Sequence, residues 1–313
     1  MEKDQLAIII PAYKALFLDQ TLHSLACQTC LEFTVYIGDD NSPYQLKDII
    51  DKYTNILKIV YKRFDTNLGG NNLVAQWNRC VDMINGETFF CLFSDDDLMA
   101  PNNIENFYRL LESEPSYDVY HYDIDIIDAE NNIIEKWDNY PSPISAYDFL
   151  RLLYVDKKID ARMPEFIFRT EAFRRNNGFV DFDLAFRSDN ATVVICSWNS
   201  GICSVPESKV LWRDSGVNVS KIADITIVKR KLLATIDFFN WLAKYYSSLN
   251  QPCPIPLKRR MKIVLKEMLR ISLDMTRSEM FAYMRKIDVL AKNYILYLYW
   301  KSYLVLKLNK LER

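Results

Sequence analysis

The chain has 313 residues, half of them hydrophobic and 26% charged, enough for a sizeable core in one large domain or two smaller ones. A formal net charge of −2 excludes an overall polyanion binder, so no nucleic-acid partner is expected. The seven cysteines are odd in number and scattered, which argues against a disulfide framework and for a reducing compartment. Residues 1–5 lead straight into an apolar strand without a secretory leader. No apolar run reaches the roughly 18–20 residues that span a bilayer, so a cytoplasmic protein is expected. The mean charge conceals an asymmetry. Residues 1–220 hold 20 Lys and Arg against 34 Asp and Glu, whereas residues 221–313 hold 19 against 7. Such opposite halves suggest separate jobs, or surfaces that attract each other.

Leu6 to Ile10 is a continuous apolar run closed by Pro11, the pattern of a strand buried on both faces of a parallel sheet. Leu18, Leu22, Leu25 and Ala26 recur with helical spacing. Phe33 to Ile37 predicts a second strand, ending in the turn Gly38-Asp39-Asp40-Asn41-Ser42-Pro43. A short helix over 45–53 and a strand over 57–61 follow, then the loop Asn67-Leu68-Gly69-Gly70. A helix through Leu73, Trp77, Cys80, Val81 and Ile84 precedes a strand over 88–93. This alternation predicts a parallel, doubly wound α/β sheet. Beyond Asp97 the pattern changes to a β-hairpin over 118–137, a helix over 145–154 and a strand over 164–169. A helix over 191–199 and short strands over 202–205 and 210–213 complete this part. From about Lys221 only helices are expected, near 222–247, 256–274 and 277–309. The domain reading is therefore a catalytic part over 1–220 and a basic helical part over 221–313.

Ligands of such sheets bind at the carboxyl ends of the strands. Three strands here end in polar clusters at that edge: Pro11-Ala12-Tyr13, Asp39-Asp40-Asn41 and Ser94-Asp95-Asp96-Asp97. Consecutive carboxylates raise one another's pKa unless something positive meets them. A divalent cation held by one or two carboxylates and substrate phosphates is one account, with Mg²⁺ or Mn²⁺ suited to hard oxygen ligands. A solvated acidic turn, or a cap for the segment after Pro101, is the other. His23 and His121 are the only imidazoles and fall mid-helix and mid-strand, where structural roles are expected. Cys27-Gln28-Thr29-Cys30 has no second pair to complete a zinc site. The chemistry is expected of carboxylates.

Taken in order, Ile8-Ile9-Ile10-Pro11-Ala12-Tyr13, Ser24 to Thr29, Asp39-Asp40-Asn41-Ser42, Asn67-Leu68-Gly69, Gly86-Glu87 and Ser94 to Asp97 with Pro101 resemble the family-2 glycosyltransferases of the GT-A fold. The resemblance covers roughly residues 5–220. It implies a mostly parallel central sheet with helices on both faces, and inverting transfer of a sugar from a nucleoside diphosphate sugar, a UDP-sugar first. It further implies that Pro11, Ala12 and Tyr13 hold the nucleotide base, with Tyr13 stacking on it, and that Asp40, with Asp39, bonds base or ribose. Asn67 joins the nucleotide-binding set. Asp96 would be the main ligand of a Mn²⁺ or Mg²⁺ ion, with Asp95 and Asp97 on sugar or metal. Asp189 would be the catalytic base, and Arg213 would close over the diphosphate side. Trp77 stands where the family often has Arg, Ser94 where it has the first Asp, and Ser215 where it has His.

The implied acceptor is a glycan or a lipid-linked glycan, as in surface polysaccharide synthesis. A sugar nucleotidyltransferase is the alternative, but it wants a Gly-rich, basic phosphate loop after the first strand, and 11–16 is not one; a non-catalytic nucleotide-binding module is a further reading. In the tail, Leu257, Met261, Leu265 and Leu269 form an apolar stripe beside Lys258, Lys262, Lys266 and Arg270. Residues 256–309 could thus lie on the inner face of a membrane, pack against the acidic part, or pair with a second copy.

Overall fold

The computed structural model describes residues 5–137, 140–216 and 223–311. The chain divides into two compact units, residues 1–181 with 188–218, and residues 182–187 with 219–313. The domain boundary expected at 220/221 lies outside the described residues, and the short segment 182–187 joins the helical unit rather than the sheet.

The first unit is built on a nine-stranded sheet. Leu6–Ala12 (β1), Phe33–Asp39 (β2), Lys58–Arg63 (β3) and Phe89–Leu92 (β4) are mutually parallel in the order β3-β2-β1-β4. Leu98–Met99 (β5), Val119–Ile127 (β6), Ile133–Lys136 (β7), Phe166–Arg169 (β8) and Ile202–Arg213 (β9) extend it as β8-β6-β9-β5, with β7 paired to β6. The parallel pattern stops at β4. β8 lies antiparallel between β4 and β6, and β5 is antiparallel to β9, so the sheet is mixed beyond its first four strands. β1 and β2 are buried almost throughout, as their continuous apolar runs require. β3 is the edge, and its exposed Lys58, Lys62 and Arg63 discourage pairing with another chain.

Helices Leu18–Ala26 (α1), Leu46–Ile50 (α2) and Leu73–Val81 (α3) connect the parallel strands. Leu18, Leu22 and Leu25 of α1 pack with Ile8, Ile10 and Val35 on one face of the sheet. The other face receives α3. There a Cβ at position 38 would lie 2.3 Å from the Cys80 sulfur, so only glycine lets the helix approach β2 this closely. Helices Asn103–Ser113 (α4) and Thr170–Arg175 (α6) were not anticipated from periodicity, and Ala146–Arg151 (α5) and Ser188–Ser197 (α7) were. α7 begins three residues earlier than expected. The two short strands expected over 202–205 and 210–213 are one strand, β9, bulged near Glu207, whose φ is 52°.

His121 is fully buried in β6 and stacks on Tyr140 with ring centroids 3.8 Å apart. Neither ring nitrogen has a hydrogen-bond partner, and burial pushes the imidazole down to about 3. The unfolded chain therefore takes up this proton first, and the stability that neutral His121 permits is lost as pH falls from about 6.5 toward 3. The stability difference between wild type and His121→Phe should shift by about 2–3 kcal/mol between pH 7 and 4.5 in urea titrations. A difference independent of pH would contradict the assignment.

Among the described residues, the second unit contains helices only: Ile225–Ser248 (α8), Leu257–Arg270 (α9), Arg277–Arg285 (α10), Asp288–Lys292 (α11) and Tyr294–Leu311 (α12), with a short 3-10 turn at Asp183–Ala185. Asp224 caps α8, accepting from the Ile227 N–H at 3.1 Å, and Thr276 with Glu279 forms a capping box at α10. The third helix expected from sequence, 277–309, is three helices. Ile287 and Asn293 are extended, and the Asn293 side chain accepts from the Leu296 N–H at 3.0 Å to start α12 afresh. Asp183, within 182–187, receives Arg230 in a two-pronged bond of 2.6 and 2.8 Å.

The apolar stripe of α9 is packing. Met261 and Leu265 are buried with Val264 and Met268, while Lys258, Lys262, Lys266 and Arg270 are exposed. In α12, Tyr297, Trp300, Leu304 and Leu308 are buried, and Tyr294, Ile295, Tyr299 and Leu306 are exposed. Among the described residues, no helix is long and apolar enough to cross a membrane.

Candidate active site

The carboxyl ends of β1, β2 and β4 meet as three turns tied together by hydrogen bonds. Asp95 accepts the Tyr13 and Lys14 N–H groups on one oxygen, at 2.9 and 2.8 Å, which fastens the turn after β1 to the turn after β4. The Ala12 carbonyl accepts the Asp40 N–H at 2.9 Å, and the Ser42 hydroxyl donates to the Tyr13 carbonyl at 2.6 Å. Pro11, Ala12 and Tyr13 thus sit between two acidic turns, and Tyr13 keeps 40% of its surface open to solvent. An aromatic ring exposed at this edge is suited to stacking on a flat ligand.

Asp39 and Asp40 are buried and serve the turns themselves. Asp39 accepts from the Ser42 N–H at 2.8 Å, the Tyr61 hydroxyl at 2.6 Å and Arg63 at 3.1 Å. Burial and the bond to Asp39 push the Tyr61 hydroxyl up to about 12. Asp40 accepts from the Leu68 N–H at 2.7 Å, the Gly69 N–H at 2.8 Å and the Arg79 guanidinium. It therefore anchors the 67–70 loop, in which Asn67 accepts the Gly70 N–H at 2.8 Å. Both carboxylates, expected to bond base or ribose, thus also hold the turns in place. Arg79 was not anticipated. It supplies from one half-turn along the guanidinium that Trp77 lacks, while Trp77 packs edge-on against Phe179 at 5.4 Å.

The three consecutive carboxylates differ in environment. Asp96 faces the Lys14 ammonium at 3.5 Å, with the lysine partly exposed. Asp95 is pushed up to about 6, by burial first and by the neighbouring Asp96 second, against the two backbone donors that favour its charge. Asp97 is fully buried and raised well above the carboxylate range by burial and Asp96. One Asp97 oxygen accepts the Arg213 N–H at 2.8 Å, and the other is buried without a partner. Asp97 is thus bonded to β9 through one oxygen. Its position follows from the pairing of Leu98 with Leu211, which sets β9 alongside the turn.

Arg213 is also inside. Its guanidinium donates to the carbonyls of Asp96 at 2.7 Å and Asp128 at 2.9 Å and to Gln20 at 3.0 Å, and it stacks over the Phe17 ring at 4.2 Å. It is wholly buried and braces the acidic turn through these bonds. The partners of a buried guanidinium lie far apart in sequence, and no local pattern reveals them.

Lys14 and Asp96 are the charged pair that this edge presents. Among the described residues, no cluster of three or more His, Cys, Asp or Glu side chains is arranged to hold a metal ion by itself. Asp95 and Asp97 are raised by burial first and by the neighbouring Asp96 second. Such oxygens suit a hard divalent cation that also takes ligands from substrate phosphates. Asp96 and Asp95 lie against the Tyr13 turn and fit such an ion, while Asp97 keeps one oxygen without a hydrogen-bond partner.

Asp189 stands in the first turn of α7, half-buried, with one oxygen accepting the Asn190 N–H at 2.7 Å. The start of that helix is fixed from several directions. The Tyr154 hydroxyl donates to Asn190 at 2.5 Å, and Thr192 bridges the Ser188 carbonyl and the Val180 N–H at 2.7 and 3.0 Å. The approach to it is strained, since Leu184, Ala185 and Arg187 all have positive φ, between 53° and 79°. Such clustering in non-glycine residues occurs preferentially at functional segments.

A mixed α/β domain with bonded polar turns at the carboxyl edge of its parallel strands belongs to the nucleotide-binding class of α/β enzymes. Residues 7–176, just over half of the chain, match the family described as Glycosyl transferase family 2. This chain belongs to that family, and its fold is of the GT-A kind. It is 23% identical over 141 residues to an uncharacterized glycosyltransferase of Methanocaldococcus jannaschii, an alignment covering 44% of this chain and 47% of that protein. The chain thus matches about half the length of this curated relative. Among solved structures it is similar to S. aureus TarS residues 1–349 in complex with UDP-GlcNAc, with a TM-score of 0.63 and 15% identity over 90% of this chain and 81% of that one. The same protein in complex with UDP matches with a TM-score of 0.56 and 15% identity over 90% and 78% of the two chains.

Proposed function

We propose that this chain transfers a sugar from a nucleoside diphosphate sugar to an acceptor hydroxyl, with inversion at the anomeric carbon. The observation that carries the reading is the acidic turn of Asp95 and Asp96, bonded to the Tyr13 turn at the carboxyl edge of β1 and β4. UDP and UDP-GlcNAc in the similar TarS structures support a uridine nucleotide as donor. Tyr13 would stack on the base, with Pro11 and Ala12 beneath it and the 67–70 loop at its side. Asp96 and Asp95 would hold Mn²⁺ or Mg²⁺, which when bound supplies Lewis-acid stabilisation of the negative charge on the leaving diphosphate.

Lys14 brings a further positive charge to this edge, and its partly exposed stem lets the ammonium shift from Asp96 to a phosphate oxygen as charge develops there. Asp189 would take the proton from the acceptor hydroxyl while its oxygen attacks the anomeric carbon opposite the leaving group. The new bond forms as the sugar–phosphate bond breaks, and one displacement inverts the centre. The acceptor we infer is a glycan carried on a lipid, as in surface polysaccharide synthesis. The exposed bases of α9 and the exposed aromatics of α12 support peripheral contact with an anionic membrane face. Flotation with anionic vesicles at low salt should carry the protein upward, and high salt or Glu at Lys258, Lys262, Lys266 and Arg270 should release it; unbound protein at low salt would exclude membrane contact.

Thermal melts with UDP-, GDP- and dTDP-sugars, each with and without Mn²⁺, test the donor. Stabilisation by a UDP-sugar with Mn²⁺, larger than by the other two, is expected. No stabilisation by any of them would contradict the reading.

A further inference from the structure

The helical unit contains a groove whose lining includes none of the residues assigned to the transfer. α8, α9 and α11 wall a cleft of about 610 Å³, within the size range of small-molecule sites. Its floor is apolar: Ile236, Phe239, Met261, Val264 and Ile287 line it, each no more than 7% exposed. Its rim is cationic, with Lys244, Arg260 and Lys292 against one carboxylate, Asp288. Lys244 pairs with Asp288 at 2.8 Å, whereas neither Arg260 nor Lys292 makes an ion pair among the described residues. Arg260 donates one N–H to the Phe239 carbonyl at 3.3 Å, and its buried Nε has no hydrogen-bond partner. A buried donor left unpaired calls for an acceptor. The lip of the groove is apolar again at Val289, which is 37% exposed.

An apolar floor, two unpaired cations at the rim and an apolar lip match a hydrocarbon chain with an anionic head. We propose that this groove binds the chain of a phosphorylated membrane lipid, with the phosphate at Arg260 and Lys292. An uncharged chain would leave the Arg260 and Lys292 charges at the rim without a counter-charge. Pairing with the same face of a second copy is disfavoured by charge, because residues 221–313 carry 19 basic against 7 acidic residues. The inference stands apart from the transfer reaction, since its test involves no donor and no turnover.

Calorimetric titration of the full chain with octyl, decyl and dodecyl phosphate below their micelle concentrations tests it. Each buried methylene strengthens binding roughly fourfold, so each two-carbon step should tighten it on the order of tenfold. Inorganic phosphate should give no measurable binding, and uncharged decyl maltoside should bind at least tenfold more weakly than decyl phosphate. Arg260→Gln and Lys292→Gln should each weaken decyl phosphate about tenfold and leave decyl maltoside unchanged. Ala243→Phe, at a half-buried position of the wall, should abolish binding of both, with an unchanged circular dichroism melt showing that the fold is intact. Affinity independent of chain length, equal affinity for charged and uncharged heads, or unaltered binding by Ala243→Phe would overturn the proposal. So would a dimer in sedimentation that Ala243→Phe dissolves, which would assign the groove to a second copy.

Discussion

Asp189→Asn should lower turnover by roughly 10²–10⁴-fold while donor affinity stays within about twofold, because a lost general base removes help given only in the transition state. The substitution is nearly isosteric. The side-chain oxygen can still accept the Asn190 N–H, and the bonds of Asn190 and Thr192 that fix the start of α7 do not involve the changed atom. An unchanged thermal melt of the variant would show that the helix is intact. Steady-state rates with the donor varied, alongside a calorimetric Kd for the nucleotide, separate the two effects. Turnover within a few-fold of wild type would show that another group takes the proton, and a large loss of nucleotide affinity would place Asp189 on the donor instead.

The second large effect is expected at Asp96. With wild type, a nucleoside diphosphate at a hundredfold excess over its Kd should stabilise the fold by about 2.7 kcal/mol when Mn²⁺ is present. Without the ion the diphosphate would meet Asp95 and Asp96 with only Lys14 to offset them, and stabilisation should be small. Asp96→Ala should remove the dependence on Mn²⁺. The acidic turn should survive the change, since Arg213 bonds the main-chain carbonyl of residue 96 and Asp95 keeps its two backbone donors. Equal stabilisation with and without Mn²⁺ in wild type, or an unaltered metal response in Asp96→Ala, would contradict the assignment of the ion to this carboxylate.

The parallel half of the sheet was legible because its strands are continuous apolar runs, each closed by a turn rich in Asp, Asn or Gly, with amphipathic helices between them. Beyond Asp97 the hairpin of β6 and β7, α5, β8 and α7 were legible too, whereas the burial of β6 on both faces was not. β6 reads as alternating, yet His121 and Asp125 are as buried as Tyr120 and Ile124, with Asp125 held by Lys209 at 2.9 Å. Its polar positions are satisfied or enclosed by neighbours from distant sequence, so periodicity does not report its two covered faces. In the site, the clusters at the strand ends were visible as residue types, whereas their division of labour was not. Asp39, Asp40, Asp97 and Arg213 carry the same charges as groups that bind ligands, and here they bond the protein's own backbone and side chains. Lys14 and Arg79 lacked a local signal, because each acts through a carboxylate brought near by the sheet. The long helix expected over 277–309 concealed its breaks because Ile287 and Asn293 are compatible with a helix until Asn293 caps the next one.

The central claim is that Asp189 and the acidic turn support a single displacement at the anomeric carbon of a nucleotide sugar. Time-resolved proton NMR of the first sugar released from an α-linked UDP-sugar, with water as acceptor and before mutarotation, tests it most directly. The account predicts the β-anomer first, with the signal lost in Asp189→Asn. The α-anomer appearing first would contradict it.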